Sequence, residues 1–232
     1  MRNDEETQWL RDGLWEWRQH LAARGFDVRP FVFEEPATLR EIEELESRIG
    51  VGLPPSFRDV LGCISKHVEF RWFLPEHAEF PPPFTGNFSG NLHWSLDFTA
   101  ELDDEKDSWL REVFPNVADA YHRVWHNKLA FYRVGNGDYF TIDLSRAGFE
   151  QIVYLSHDDG AGHGYVLADN FADLLRRWVP LACAGGEDWQ WLPFTDGPAS
   201  RLDPACKNAL AWRRLLGIAD RRAKSQGDVL DA

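Results

Sequence analysis

The apolar residues of this chain switch period near residue 66, and that switch limits the folds open to it. Trp9, Leu10, Leu14, Trp17 and Leu21 recur every three or four positions, as do Ile42, Leu45 and Ile49, and then Phe57, Val60, Leu61 and Ile64. That is the spacing of one helical face. From Val68 the spacing becomes two: Val68, Phe70, Trp72 and Leu74 alternate with other residues, and Leu92, Trp94, Leu96 and Phe98 do so again. Alternation of this kind marks strands with one buried face. Helices thus come first and strands second, which argues for segregated α+β layers rather than repeating βαβ units.

Local signals punctuate this pattern. Gly25 and Gly50 stand where helix C-caps belong, and Thr38 with Glu41 forms a Thr-x-x-Glu capping box. Phe26 to Pro36 reads as a connector, and Pro54-Pro55-Ser56 opens the third helix. Pro75 to Asn91 is a Pro/Gly/Asn loop. Residues 101–126 look helical with a break near Pro115, and Trp109, Leu110, Phe114, Val117, Tyr121, Val124 and Trp125 face inward.

Leu129–Val134 and Tyr139–Leu144 form a hairpin around Gly135-Asn136-Gly137-Asp138, where Asn-Gly suits positive φ. Gln151–Leu155 adds a third strand. A glycine-rich connector, His157 to Gly164, leads into Tyr165–Ala168. Asp169 or Asn170 then caps a helix carrying Phe171, Leu174, Leu175, Trp178 and Leu181. Gly185-Gly186 marks a break, followed by an aromatic segment (Trp189, Trp191, Phe194) that should pack on the domain, since Trp is mostly buried. A last helix runs from Asp203-Pro204 to about Lys224.

Charge and composition remove several classes of function. The 232 residues include 38 acidic and 25 basic side chains, a net charge of −13. That opposes generic nucleic-acid binding, which needs a basic face, and favours a cationic partner. No apolar run approaches the ~18 residues of a membrane span, and the acidic N-terminus lacks the layout of a secretory signal. Cys63, Cys183 and Cys206 are odd in number and widely spaced. That fits small buried thiols in a reducing cytoplasm.

The catalytic templates fail on spacing. Gly86-Asn87-Phe88-Ser89-Gly90 sets its serine one place late for a nucleophile elbow. Gly160-Ala161-Gly162-His163-Gly164 enters a strand, so it lacks the helix N-terminus of a phosphate loop. His77-Ala78-Glu79 has no P-C-x-x-C to complete a deaminase signature. His157, Asp158, Asp159 and His163 are the densest group of metal-capable side chains. Four ligands from one short loop would lose much conformational entropy, so a solvated turn is the plainer reading. The chain is expected to be non-enzymatic, without catalytic residues, cofactor or metal.

The order of these pieces resembles the SUKH superfamily, which includes the fungal Smi/Knr cell-wall assembly regulators. The resemblance lies in the acidic helix Glu41–Ile49 ending in Gly50, then Leu53-Pro54, then the helix led by Phe57. The hairpin with Gly135 and Gly137, the strand Val153-Tyr154-Leu155 and the helix opened by Phe171 agree with it, over about residues 35–180. It implies an α+β fold around a curved, mostly antiparallel sheet flanked by helices, with no catalytic residues to carry over. In bacteria such proteins are typically immunity proteins that neutralise a cognate toxin, and the fungal relatives imply an alternative, an intracellular regulator binding a host protein.

Gly50, Leu53, Pro54, Phe57, Gly135, Gly137 and Phe171 are expected to be structural. Partner contacts are expected on acidic surface, with Asp103, Asp104, Glu105 and Asp107 as one patch and Asp158 with Asp159 as another. Either patch also reads as a plain solvated face. The expected partner is a basic toxin of nuclease type, bound without direct contact to nucleic acid or membrane. The expected division is an N-terminal helix and connector (1–33), a SUKH-like domain (34–183) and a C-terminal aromatic segment with a helix (184–232).

Overall fold

The computed structural model describes residues 2–146 and 148–217. α1 (Arg2–Ala23) buries Leu10, Leu14, Trp17 and Leu21, and the Trp17 indole donates to the Val179 carbonyl at 2.8 Å. Gly25 adopts φ 82° just past its end, a left-handed position that glycine takes without steric cost.

The expected connector contains two strands, β1 (Asp27–Val28) and β2 (Val32–Phe33). Both pair antiparallel with β3 (His67–Phe73). Two-residue strands are too short to show alternation, and Pro30 and Pro36 fall outside their ladders. α2 (Leu39–Ile49) has the expected capping box, closed by Gly50 at φ 73°. The Lys66 ammonium, 2.7 Å from Glu41, acts with the Thr38 bonds to hold the Glu41 carboxyl well below the usual range. α3 (Pro55–Cys63) buries Phe57, Val60 and Leu61.

β4 (Ser89–Ser95) pairs with β3 from His67↔Ser95 to Phe73↔Ser89. Val68, Phe70, Trp72, Leu92 and Trp94 all face the core. The alternation read through Leu96 and Phe98 does not continue as strand. α4 (Leu96–Glu112) starts at Leu96, and Phe98 lies on its surface, 57% exposed. α5 (Ala120–Trp125) is capped by the Asp119 carboxylate. Val117, expected to face inward, lies exposed between the two helices.

A second antiparallel sheet follows in meander order: β5 (Lys128–Arg133), β6 (Tyr139–Asp143), β7 (Ile152–Leu155) and β8 (Val166–Ala168). In the β5–β6 turn Gly137 takes φ 98°, whereas Asn136 does not take a positive φ. The hairpin therefore needs one left-handed residue, not the two of a type I′ turn. Both faces of this sheet are covered. Phe114 and Trp125 pack with Ala130, Tyr139, Val153 and Leu155 on one side, and the main core lies on the other. Where the two sheets meet, the Tyr132 hydroxyl donates to the Asn91 carbonyl at 3.2 Å. The class is α+β, with its antiparallel strands in two four-stranded sheets.

α6 (Phe171–Trp178) is capped by the Asn170 side chain, which accepts from the Asp173 N–H at 2.8 Å. α7 (Asp188–Trp191) and α8 (Lys207–Leu215) follow. The stretch of the last helix expected beyond residue 217 lies outside the described residues. Trp191, Phe194 and Trp212 are fully buried in the same core as Leu10 and Leu14, while Trp189 is exposed. The Trp212 indole reaches the Leu181 carbonyl and the Trp72 indole the Ala182 carbonyl, each at 2.8 Å. The N-terminal helix and the segment after residue 184 thus share the main core with the residues between them.

Candidate partner-binding surface

The structure divides the acidic run on α4. Lys106 is only 3% exposed and inserts between Asp103, 3.1 Å away, and Asp107, while also donating to the Lys128 carbonyl. A buried ammonium is tolerable only with such partners. Asp103 also accepts the Ala130 N–H at 3.0 Å. Burial pushes its carboxyl up, against the pull of Lys106. Glu105 faces Arg133 at 3.4 Å. Asp104 alone of the four expected residues is exposed. Asp103 and Lys106 fasten α4 to the second sheet, and Asp107 pairs with Lys106.

The glycine-rich connector is tied down at several points. Asp138, 1% exposed, accepts from the Tyr154 hydroxyl, the Asn136 amide and the His157 N–H, and lies 2.6 Å from His157 Nδ1. His163 stacks on Tyr121 with ring centroids 3.6 Å apart. Its Nδ1 accepts the Ser156 N–H and its Nε2 donates to the Tyr121 carbonyl, so both nitrogens are committed. Burial lowers its pKa, in keeping with a neutral ring.

The residues that could share an ion are therefore Asp138, His157 and Asp158, with ligand atoms within 4.8 Å of one another, and not His163. Asp138 and His157 already satisfy each other, and Asp158 accepts from the Ser156 hydroxyl at 2.8 Å. The cluster can order the connector against the hairpin without a metal. Asp158 and Asp159 project into solvent beside it.

Of the residues expected to be structural, Leu53, Pro54, Phe57 and Phe171 are buried, whereas Gly50 and Gly135 are exposed at chain turns. Leu53 and Pro54 are buried, and the Leu53 N–H donates to Glu46 at 3.0 Å. Phe57 contacts Phe131 and Phe171. Gly135 lies close to the Glu187 carboxyl and Gly137 under the His157 ring.

A third surface was not singled out by sequence reasoning. The polar alternates of β3 and β4 lie on the outer face of the first sheet, with Arg71 across from Asn91, Glu69 from His93 and His67 from Ser95. They floor a groove of about 510 Å³, walled by Phe98, Glu101 and Glu105 of α4 and by Arg133 to Gly135 of the hairpin. His67 is held between Glu34 at 2.9 Å and Glu69 at 3.2 Å. His93 packs on Tyr132 at 4.4 Å. Burial, with the charges of Arg71 and His67, pushes its pKa down to about 3. Three buried atoms on this floor have no partner among the described residues: Arg71 Nε, Asn91 Oδ1 and His93 Nδ1. The available signal was the period itself, since polar residues two apart in a strand share a face.

No helix among the described residues is long and apolar enough to cross a membrane. Comparison of the chain with curated proteins gives no match. The profile of the SMI1 / KNR4 family (SUKH-1) matches residues 36–177, more than half of the chain and all of the segment from the capping box to the closing helix. The chain belongs to the SMI1 / KNR4 (SUKH-1) family.

Proposed function

We propose that this chain is a non-enzymatic immunity protein that neutralises a cognate bacterial toxin by binding it one to one and covering its active site. The family includes immunity proteins and Smi1/Knr4 regulators, and its members bind partner proteins such as toxins. Family membership is the observation that carries the reading. Charge supports the choice of partner: a net −13, with Asp104, Asp158 and Asp159 exposed, suits a basic toxin. A nuclease needs a basic groove for phosphates, and an acidic protein can occupy that groove with electrostatically steered association. Three free cysteines fit action in the reducing cytoplasm of the producing cell.

An immunity gene is expected to lie beside its toxin gene, so calorimetry and light scattering on mixtures with a toxin-domain protein found in that position test the proposal. A one-to-one complex whose affinity weakens as salt rises is expected. Absence of a complex at micromolar concentrations contradicts it.

A further inference from the structure

A separate groove, of about 910 Å³, runs along α1 where it meets the turn Val179–Leu181 and α8. Its lining includes Trp9, Gly13, Glu16, His20, Pro180 and Arg213. Trp9 is 43% exposed there, while its neighbour Leu10 is fully buried. Asp12 and Glu16, three and seven places after Trp9, share its side of the helix. Both are exposed, and neither has an ion pair among the described residues.

The chain that follows α8 starts at one end of this groove. His20 Nε2 lies 2.9 Å from the Leu216 carbonyl, which sets the end of α8 against the last turns of α1. Gly217 takes φ 90° and donates its N–H to the Arg214 carbonyl at 2.9 Å. Those are features of a Schellman cap, in which the residue after the glycine packs back on the third residue from the helix end. Here the two residues are Ile218 and Arg213, and Arg213 lines the groove. Its guanidinium is held by the Pro204 carbonyl at 2.6 Å, so the stem stays in place as an apolar wall.

We propose that this groove is the docking site of the chain's own residues 218–232, with Ile218 against Arg213 and Val229-Leu230 over Trp9. The distance fits. His20 and Trp9 are 11 residues apart on the helix, about 17 Å at ~1.5 Å each. Ile218 and Val229 are also 11 residues apart and reach that far at any extension from helical to fully stretched. The charges fit as well. Arg221, Arg222 and Lys224 lie between the two apolar anchors, as Asp12 and Glu16 lie between Trp9 and His20. A few contacts suffice, because a short tether holds the segment at an effective concentration on the order of millimolar. None of the residues assigned to toxin binding takes part, so the inference stands independently of the immunity reading.

The test uses the full chain with ¹³C-labelled Ile, Leu and Val methyls, observed by nuclear Overhauser spectra at one concentration and at a tenth of it. Cross-peaks from the Val229 and Leu230 methyls to the Trp9 ring are expected, with the same relative intensity at both. The double variant Val229→Asp, Leu230→Asp should abolish them and shift the Trp9 indole N–H. Asp12→Lys with Glu16→Lys, both at exposed positions, should weaken them by half or more.

Methyl signals at unstructured-chain positions without a cross-peak to Trp9 would overturn the proposal. An unmoved Trp9 indole in the double Asp variant would do the same. Cross-peaks that fade on dilution would place a second copy in the groove instead of the chain's own segment.

Discussion

Phe57 and Phe171 meet edge to face, their ring centroids 4.8 Å apart and both rings fully buried. The contact joins α3, which follows the Leu-Pro turn, to α6, which closes the family segment. The Phe171 N–H adds a hydrogen bond to the Ser56 hydroxyl at 3.1 Å. Phe57→Ala and Phe171→Ala should each lower stability by about 3–5 kcal/mol. Because the rings touch, the double variant should lose less than the sum, which urea unfolding of the four proteins will measure.

Lys106 should be the most consequential charge on α4. Lys106→Met leaves Asp103, whose carboxyl is half-buried and holds the Ala130 N–H, without its cation. Removing one partner of a buried pair costs about 3–5 kcal/mol, and adding Asp103→Asn should recover part of that loss. If Lys106→Met unfolds at the wild-type urea midpoint, the fastening role assigned to this cluster is wrong.

Acid should weaken the fold through His93. Its pKa is about 3 in the folded chain against 6.5 as the unperturbed value, so between those limits the unfolded state binds the extra proton. Stability is complete above pH 6.5 and falls as pH drops toward 3, by at most about 1.4 kcal/mol per unit. The groups facing His93 are Arg71, His67, Glu69 and the Tyr132 ring, and the interactions with Arg71 and His67 act in the same direction as burial. His93→Phe should flatten the stability profile between pH 6 and 4 in urea titrations. In NMR the wild-type ring should remain neutral at pH 5.

Gly162 illustrates how closely the connector approaches the C-terminal segment. A Cβ there would lie 2.5 Å from the Trp191 ring and 2.7 Å from Asp188 Cβ. Gly162→Ala should therefore cost about 1–3 kcal/mol by overpacking. Gly52→Ala, with nothing within 4 Å, should leave the melting temperature unchanged and serves as the control.

Much of this fold was legible wherever one residue type answers one local demand. Thr38, Glu41 and Gly50 mark both ends of α2, and the alternation of β3 and β4 shows which residues are buried. The misses have other causes. β1 and β2 owe their existence to β3, a partner about 40 residues away, and two residues show no period. Leu96 prolongs the strand alternation yet is buried from the first turn of a helix. In the acidic run, sequence shows the charges but not that Lys106 is drawn inward by the Lys128 carbonyl of β5. The groove combines β3, β4, α4 and the hairpin, so only the shared face of Arg71, Asn91 and His93 could be foreseen, and not their lack of partners.

Neutralisation is read from the growth of cells that co-express this chain with a toxin-domain protein found in the neighbouring gene. Toxin alone should arrest growth, and the wild-type chain should restore it. The triple variant Asp104→Asn, Asp158→Asn, Asp159→Asn should restore it less well. Arrest that persists at high levels of folded wild-type chain would rule out an immunity role.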